Sequence, residues 1–265
     1  MCTVLYRTIQ IPYYAIMSAD LSIGIYTAAG IAIGAVAAKL LSGGSSSPKT
    51  RKQTSPVTLY YYYNAGFTGR VEGAMMLLED IGQPYKTSDE ISVPKAKNPA
   101  CFAPPFCKDE EFYMSQSTAI CLHLGMKYGL APLESLSDAM RAACNAEDFW
   151  GEVYRPIKGG KDREAGAAFA ASDRFTKWLM TLEAPLITGG GPYLFGSSPI
   201  FADYHLLSTL RAVEFMYPKA FAAAVARLSA LSAWLDAMNA RPGIVSFIKS
   251  ERCLPLLYAA CKDIA

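Results

Sequence analysis

Apolar and polar positions fall into two kinds of pattern along this chain. Residues 57–63, VTLYYYY, are β-branched and aromatic and stop at Asn64-Ala65-Gly66, which predicts a strand followed by a turn. From Thr68 the spacing turns helical: Val71, Met75, Leu77, Leu78 and Ile81 share a face, and Gly82 closes the helix. A polar stretch with prolines (84–100) leads to FAPPFC, a short acidic turn and FYMSQSTAICLHLGMKYGL. In that piece Ser115 or Ser117 caps a helix whose apolar face is Ile120, Leu122 and Leu124, ended by Gly129. Over 57–131 the order is β-α-(β)-β-β-α, that of a small mixed sheet with helices on its faces.

From 138 to 265 the pattern is helical throughout. Segments 138–156, 164–187, 200–216, 219–239 and 243–260 are separated by breaks such as Gly189-Gly190-Gly191-Pro192 and Arg241-Pro242-Gly243. None alternates with the period of two that a half-buried strand needs.

The first 41 residues differ again. Residues 21–38, LSIGIYTAAGIAIGAVAA, carry no charge between Asp20 and Lys39. As a helix they would span about 27 Å at ~1.5 Å per residue, close to the ~30 Å hydrocarbon core of a bilayer. Gly30, Gly34 and Ala38 repeat the small-residue spacing of packed membrane helices. The reading is one transmembrane helix, against the alternatives of a cleaved targeting peptide ending near Ala35-Val36-Ala37 or a buried soluble helix. Residues 42–56, SGGSSSPKTRKQTSP, have the chemistry of a flexible basic linker. Lys39, Lys49, Arg51 and Lys52 outweigh the single Arg7 on the other flank, which predicts a single-pass protein with its folded part on the cytosol-equivalent side.

Composition removes several classes. Apolar residues make up 52% and charged residues 18%, too apolar for a disordered chain. A net charge of +2 leaves no footprint for nucleic acid. Two histidines and seven cysteines without a C-x-x-C pair argue against a metal centre or a disulfide framework.

Five stretches, in order, resemble the glutathione transferase family. LYYYYNAGFTGRVEGAMMLLEDIGQPYK (59–86) is similar to its first strand, tyrosine-bearing turn and first helix. FAPPFCKDEEFYMSQSTAICLHLGMKYGL (102–130) is similar to its proline-hairpin-Gln-Ser block. KWLMTLEAPL (177–186), PYLFGSSPIFADYHLL (192–207) and LSAWLDAMNARPGI (231–244) resemble helices of its second domain. The resemblance implies an α/β thioredoxin-like domain followed by an all-α C-terminal domain. The membrane segment lies outside the family's usual soluble pattern.

It also implies a site for glutathione as substrate, with no metal. Gln116-Ser117 opens a helix whose free N–H groups suit the γ-glutamyl carboxylate, although Ser117 as a plain cap uses the same geometry. Pro105 matches the family's cis-proline, whose preceding residue pairs with the cysteinyl part of glutathione through N–H and C=O. Here that residue is Pro104, which has no N–H, unless Ala103-Pro104 is the cis pair. The family's thiolate-stabilising hydroxyl falls within Tyr60 to Tyr63. Matching the Tyr-aromatic-Asn pattern favours Tyr62, while counting back from Gly69-Arg70 favours Tyr63 or Asn64. Strand parity puts Tyr61 and Tyr63 on one face, Tyr60 and Tyr62 on the other. Arg70 would steady glutathione or the tyrosine, or be a solvated arginine; Lys95 and Lys97 read as solvated. Where the family places a partner-subunit Asp, this chain has Met140 to Cys144. Asp203 reads as structural, and His123 and His205 as core or boundary residues.

The leading expectation is a membrane-anchored glutathione transferase-like protein acting on hydrophobic electrophiles through a tyrosine-stabilised thiolate. The alternative is a catalytically decayed scaffold or accessory subunit of a membrane complex. Candidate partners are glutathione, a small electrophile, the membrane, and a second copy or a membrane-complex subunit.

Overall fold

A computed structural model describes residues 56–265; the expected transmembrane helix and most of the linker lie outside the described residues. Strand β1 (Val57–Tyr60) is followed by two short 3-10 turns and α1 (Glu72–Asp80), then β2 (Tyr85–Ser88) and a short helix, α2 (Ser92–Lys97). Strands β3 (Phe106–Asp109) and β4 (Phe112–Ser115) form a hairpin, and α3 (Ser117–Tyr128) closes this half. The sheet order is β2-β1-β3-β4, with β1 parallel to β2 and antiparallel to β3. This is the mixed, thioredoxin-like sheet expected from the sequence. α2 is an addition within the polar, proline-containing stretch 84–100.

The helical half holds α4 (Leu136–Tyr154), α5 (Arg163–Ala170), α6 (Asp173–Thr188), α7 (Phe201–Met216), α8 (Pro218–Val225), α9 (Ser229–Asn239) and α10 (Pro242–Ile248). Two segments read as continuous are each split in two. At the first break Ser172 accepts the Phe175 N–H and donates to the Phe169 carbonyl, ending one helix and starting the next. At the second, Ala226 to Leu228 turn the chain by 115° between α8 and α9. The last segment stops at Ile248, and the remaining tail runs irregularly.

Helix α7 is the axis on which both halves pack. All but three of its sixteen residues are buried, and α1, α3 and α4 lie against it. Gly125 lets α3 approach: a Cβ there would sit 2.7 Å from Phe201 Cβ. Asp203 ties α7 down from within. Its carboxylate accepts the Ile200 N–H at 2.8 Å, the Leu194 N–H at 3.0 Å and the Trp234 Nε1–H at 2.7 Å. Burial pushes its carboxyl up to about 6, with these three donors opposing, so it remains mostly ionised at neutral pH. The Glu72 carboxylate crosses between halves, fully buried, accepting from Arg211 Nε at 2.8 Å and Thr68 Oγ1 at 2.9 Å.

Among the described residues no single helix is long and apolar enough to cross a membrane, and only the bent α8–α9 pair passes on length and composition.

Candidate functional site

Three chain segments meet at one end of the sheet. In register, Tyr60 pairs with Phe106, and Phe106 with Ser115. The next residues outward are therefore Tyr61, Pro105 and Gln116, side by side. Two interstrand spacings of ~4.8 Å make this row about 10 Å wide. The Pro104–Pro105 peptide is cis, as the first of the two sequence registers has it. Pro105 is buried and Pro104 half-buried.

Gln116 stands at φ 77°, ψ 120°, a conformation that non-glycine residues adopt only when their surroundings enforce it. It leads directly into α3, whose first turn has no side-chain cap. Ser117 is buried and caps nothing, so the opening N–H groups of α3 remain free for an anion.

The four tyrosines separate as parity requires up to the end of the strand. Tyr60 packs with Cys101 and Phe106, while Tyr61 joins the main core on the helical side. Tyr62 is 42% exposed, its ring 5.4 Å from that of Tyr61. The Tyr63 hydroxyl is buried without a partner, and burial holds its phenol well above the ordinary range. Neither candidate hydroxyl chosen from the sequence meets Arg70. The one that does belongs to Tyr61, whose oxygen accepts the Arg70 N–H at 3.2 Å. Burial raises the Tyr61 phenol, opposed by that N–H and the Arg70 charge, so it stays protonated at neutral pH. Its own proton has no acceptor among the described residues. Gly69, at φ +49°, is required here, because a Cβ would collide with this hydroxyl.

The Arg70 guanidinium turns away from the sheet end. It pairs with Glu147 of α4 and lies 5.4 Å from the Trp150 ring centroid. The second Glu147 oxygen lies 3.5 Å from Nε2 of His205, which is 3.2 Å from Thr118 Oγ1 in the first turn of α3. A run of polar contacts thus leads from the Tyr61 loop to the uncapped start of α3. Glu147 lies on α4 one helical turn beyond the Met140 to Cys144 stretch.

Beside Arg70 an open cleft of about 530 Å³ is lined by Arg70, Gly151, Tyr154, Arg155, Lys158 and Gly159. Lys95 and Lys97 are exposed, as expected. His123 Nε2 is 2.9 Å from Asp109 Oδ2, a carboxylate shared with Lys127, which ties α3 to the end of β3. The six described cysteines are unpaired; burial raises the Cys107 thiol, and pushes that of Cys121 to about 12. No cluster suited to a metal is found among the described residues.

Comparison with known proteins finds similarity to glutathione S-transferases. The family model of the glutathione S-transferase C-terminal domain matches residues 147–251. Glutathione S-transferase P of Bos taurus is 28% identical over 207 residues, covering 74% of this chain and 92% of the relative. The Homo sapiens protein of that name is 27% identical over 213 residues, covering 76% and 95%. Among solved structures, a Pi-class glutathione S-transferase of Onchocerca volvulus superposes with a TM-score of 0.63 at 19% identity, covering 79% of this chain and all of that one. The glutathione S-transferase from Ascaris lumbricoides gives 0.56 at 22% identity, covering 73% and 96%. The chain is glutathione S-transferase-like: a stretch similar to that family's C-terminal domain follows a thioredoxin-like sheet.

Proposed function

We propose that this chain binds glutathione along the Tyr61–Pro105–Gln116 row and transfers its sulfur to an electrophile. The observation that carries the reading is the Tyr61 hydroxyl, fixed through its oxygen by the Arg70 N–H with its proton left to donate. An extended tripeptide, ~10 Å at about 3.3 Å per residue, is as long as the row is wide. Its γ-glutamyl carboxylate would meet the uncapped start of α3 at Ser117, and its cysteinyl amide N–H the Pro104 carbonyl. The sulfur would then lie at Tyr61. A phenol donating to the sulfur favours thiolate over thiol and lowers the barrier to attack. The chemistry is thiolate stabilisation and positioning by the fold.

The membrane tether belongs to the same proposal, supported by the uncharged run at 21–38, and favours hydrophobic electrophiles dissolved beside it. A second copy as partner is supported by Phe102, 86% exposed on the loop before Pro104.

The scaffold reading draws on Pro104, which offers no N–H to a bound peptide, and on Arg70, whose charge is already taken by Glu147. Retention on immobilised glutathione, followed by conjugation of a chloronitrobenzene, separates the two. Retention with turnover is expected. A folded chain that is neither retained nor active would leave the scaffold.

A further inference from the structure

The cleft next to the Tyr61–Arg70 pair has a charge pattern that a purely apolar substrate does not use. Three cations border it, Arg70 from the loop before α1, Arg155 capping the end of α4 and Lys158 from the 3-10 turn that follows, and no carboxylate lines it. Two of the three are answered from behind: Arg70 by Glu147, and Lys158 by Asp162 at 2.9 Å. Arg155 has no ion-pair partner among the described residues. Glu152, three residues earlier on the same helix, has both oxygens engaged by Arg174. Tyr154 adds an aromatic residue to the lining, and Gly151 and Gly159 add no side chains.

We propose that this cleft takes an electrophile bearing a carboxylate on a flat aromatic body, the carboxylate received by Arg155 with Lys158 beside it. A planar guanidinium, whose neighbouring acid Glu152 is already held by Arg174, is the group best shaped for two-point contact with a carboxylate. The ring then lies against Tyr154, and its reactive carbon faces Tyr61. In an aromatic substitution the thiolate sulfur forms the C–S bond, the C–Cl bond breaks, and chloride leaves with the bonding electron pair. The thiol proton has already passed to water. The turnover part of this inference rests on the transferase reading, whereas the binding part rests on the cleft alone.

The test uses the full chain and two unreactive probes of nearly equal shape, 3,5-dinitrobenzoate and neutral 3,5-dinitrobenzamide, measured by calorimetry at low salt. The benzoate is expected to bind about tenfold tighter, the scale of one charge-assisted contact. Arg155→Gln should remove most of that preference and Arg155→Glu abolish it. Lys249→Glu, the same charge reversal on the exposed surface after α10, should leave it in place. Turnover of 4-chloro-3,5-dinitrobenzoate and its amide with glutathione completes the test. Equal binding of the two probes, or a preference that survives Arg155→Glu, overturns the proposal. Preference without turnover of either chloride supports the anion site and removes the transferase reading. Turnover of both chlorides at equal efficiency does the reverse.

Discussion

Glu147 and His205 face each other across the junction of the two halves, with Glu147 Oε2 3.5 Å from His205 Nε2. The pair does not behave as an ordinary ion pair, because the glutamate charge is already directed at Arg70. Burial dominates and the Arg70 charge adds to it, lowering His205 to about 4 from 6.5. A histidine with a depressed folded pKa contributes stability above its unfolded pKa and loses it as pH falls toward the folded value. Between pH 7.5 and 5 that loss amounts to about 2 kcal/mol. Urea unfolding across this range should show the loss in the wild-type chain and a flatter profile in His205→Gln. Equal slopes for the two proteins would assign the pH dependence to other groups.

Tyr61 rather than its neighbours is expected to control the chemical step. Tyr61→Phe should lower kcat for conjugation by about 10²-fold, the scale of one lost donor to a developing or stabilised anion, with little change in retention on glutathione. Tyr62→Phe removes an exposed hydroxyl and Tyr63→Phe a buried one without a partner, so both should keep near wild-type kcat. A collapse with Tyr62→Phe or Tyr63→Phe alone would move the donor to that residue. The pH–rate profile checks the mechanism: loss of the Tyr61 hydroxyl should shift its ascending limb to higher pH, toward the pKa of free thiol.

Much of this arrangement was legible in the chain, and its limits have physical causes. Strand and helix order followed from the change of period at Thr68, and the start of α3 from Gln116-Ser117. Parity separated Tyr60 from Tyr61 correctly, because both are still bound to the sheet. It stopped being informative past Tyr61, where the backbone leaves the strand and winds into a 3-10 turn at Tyr63–Ala65. Glu147 carries no signal of its own in the sequence, because an acid in an amphipathic helix reads as solvent-facing; only the fold brings Arg70 and His205 to it. The breaks at Ser172 and after Val225 lack the glycine or proline that punctuates a sequence, so those helices looked continuous.

The buried Glu72–Arg211 pair should be more damaging to break than to replace. Glu72 is wholly inaccessible, and burial raises its carboxyl against the pull of Arg211 and Thr68. Arg211→Ala leaves that carboxyl without its countercharge and should cost about 3–5 kcal/mol by urea unfolding. Glu72→Gln combined with Arg211→Met removes both charges at similar volume and should cost much less. If the double variant were as unstable as Arg211→Ala, the loss would stem from packing around Arg211 and not from an orphaned charge.

Pro104 offers a gain-of-function test of the glutathione row. It has a carbonyl to accept from a peptide amide but no N–H to donate back, so the site lacks one hydrogen bond that an ordinary residue would supply. One neutral hydrogen bond contributes ~0.5–1.5 kcal/mol, or up to about tenfold in affinity. Pro104→Leu restores the donor and should tighten glutathione binding by up to that factor in a calorimetric titration, while a thiol lacking the peptide backbone, such as mercaptoethanol, should gain nothing. An equal gain for both thiols would mean that the substitution loosens the loop instead of adding a contact. Unchanged affinity for glutathione would place the peptide away from Pro104.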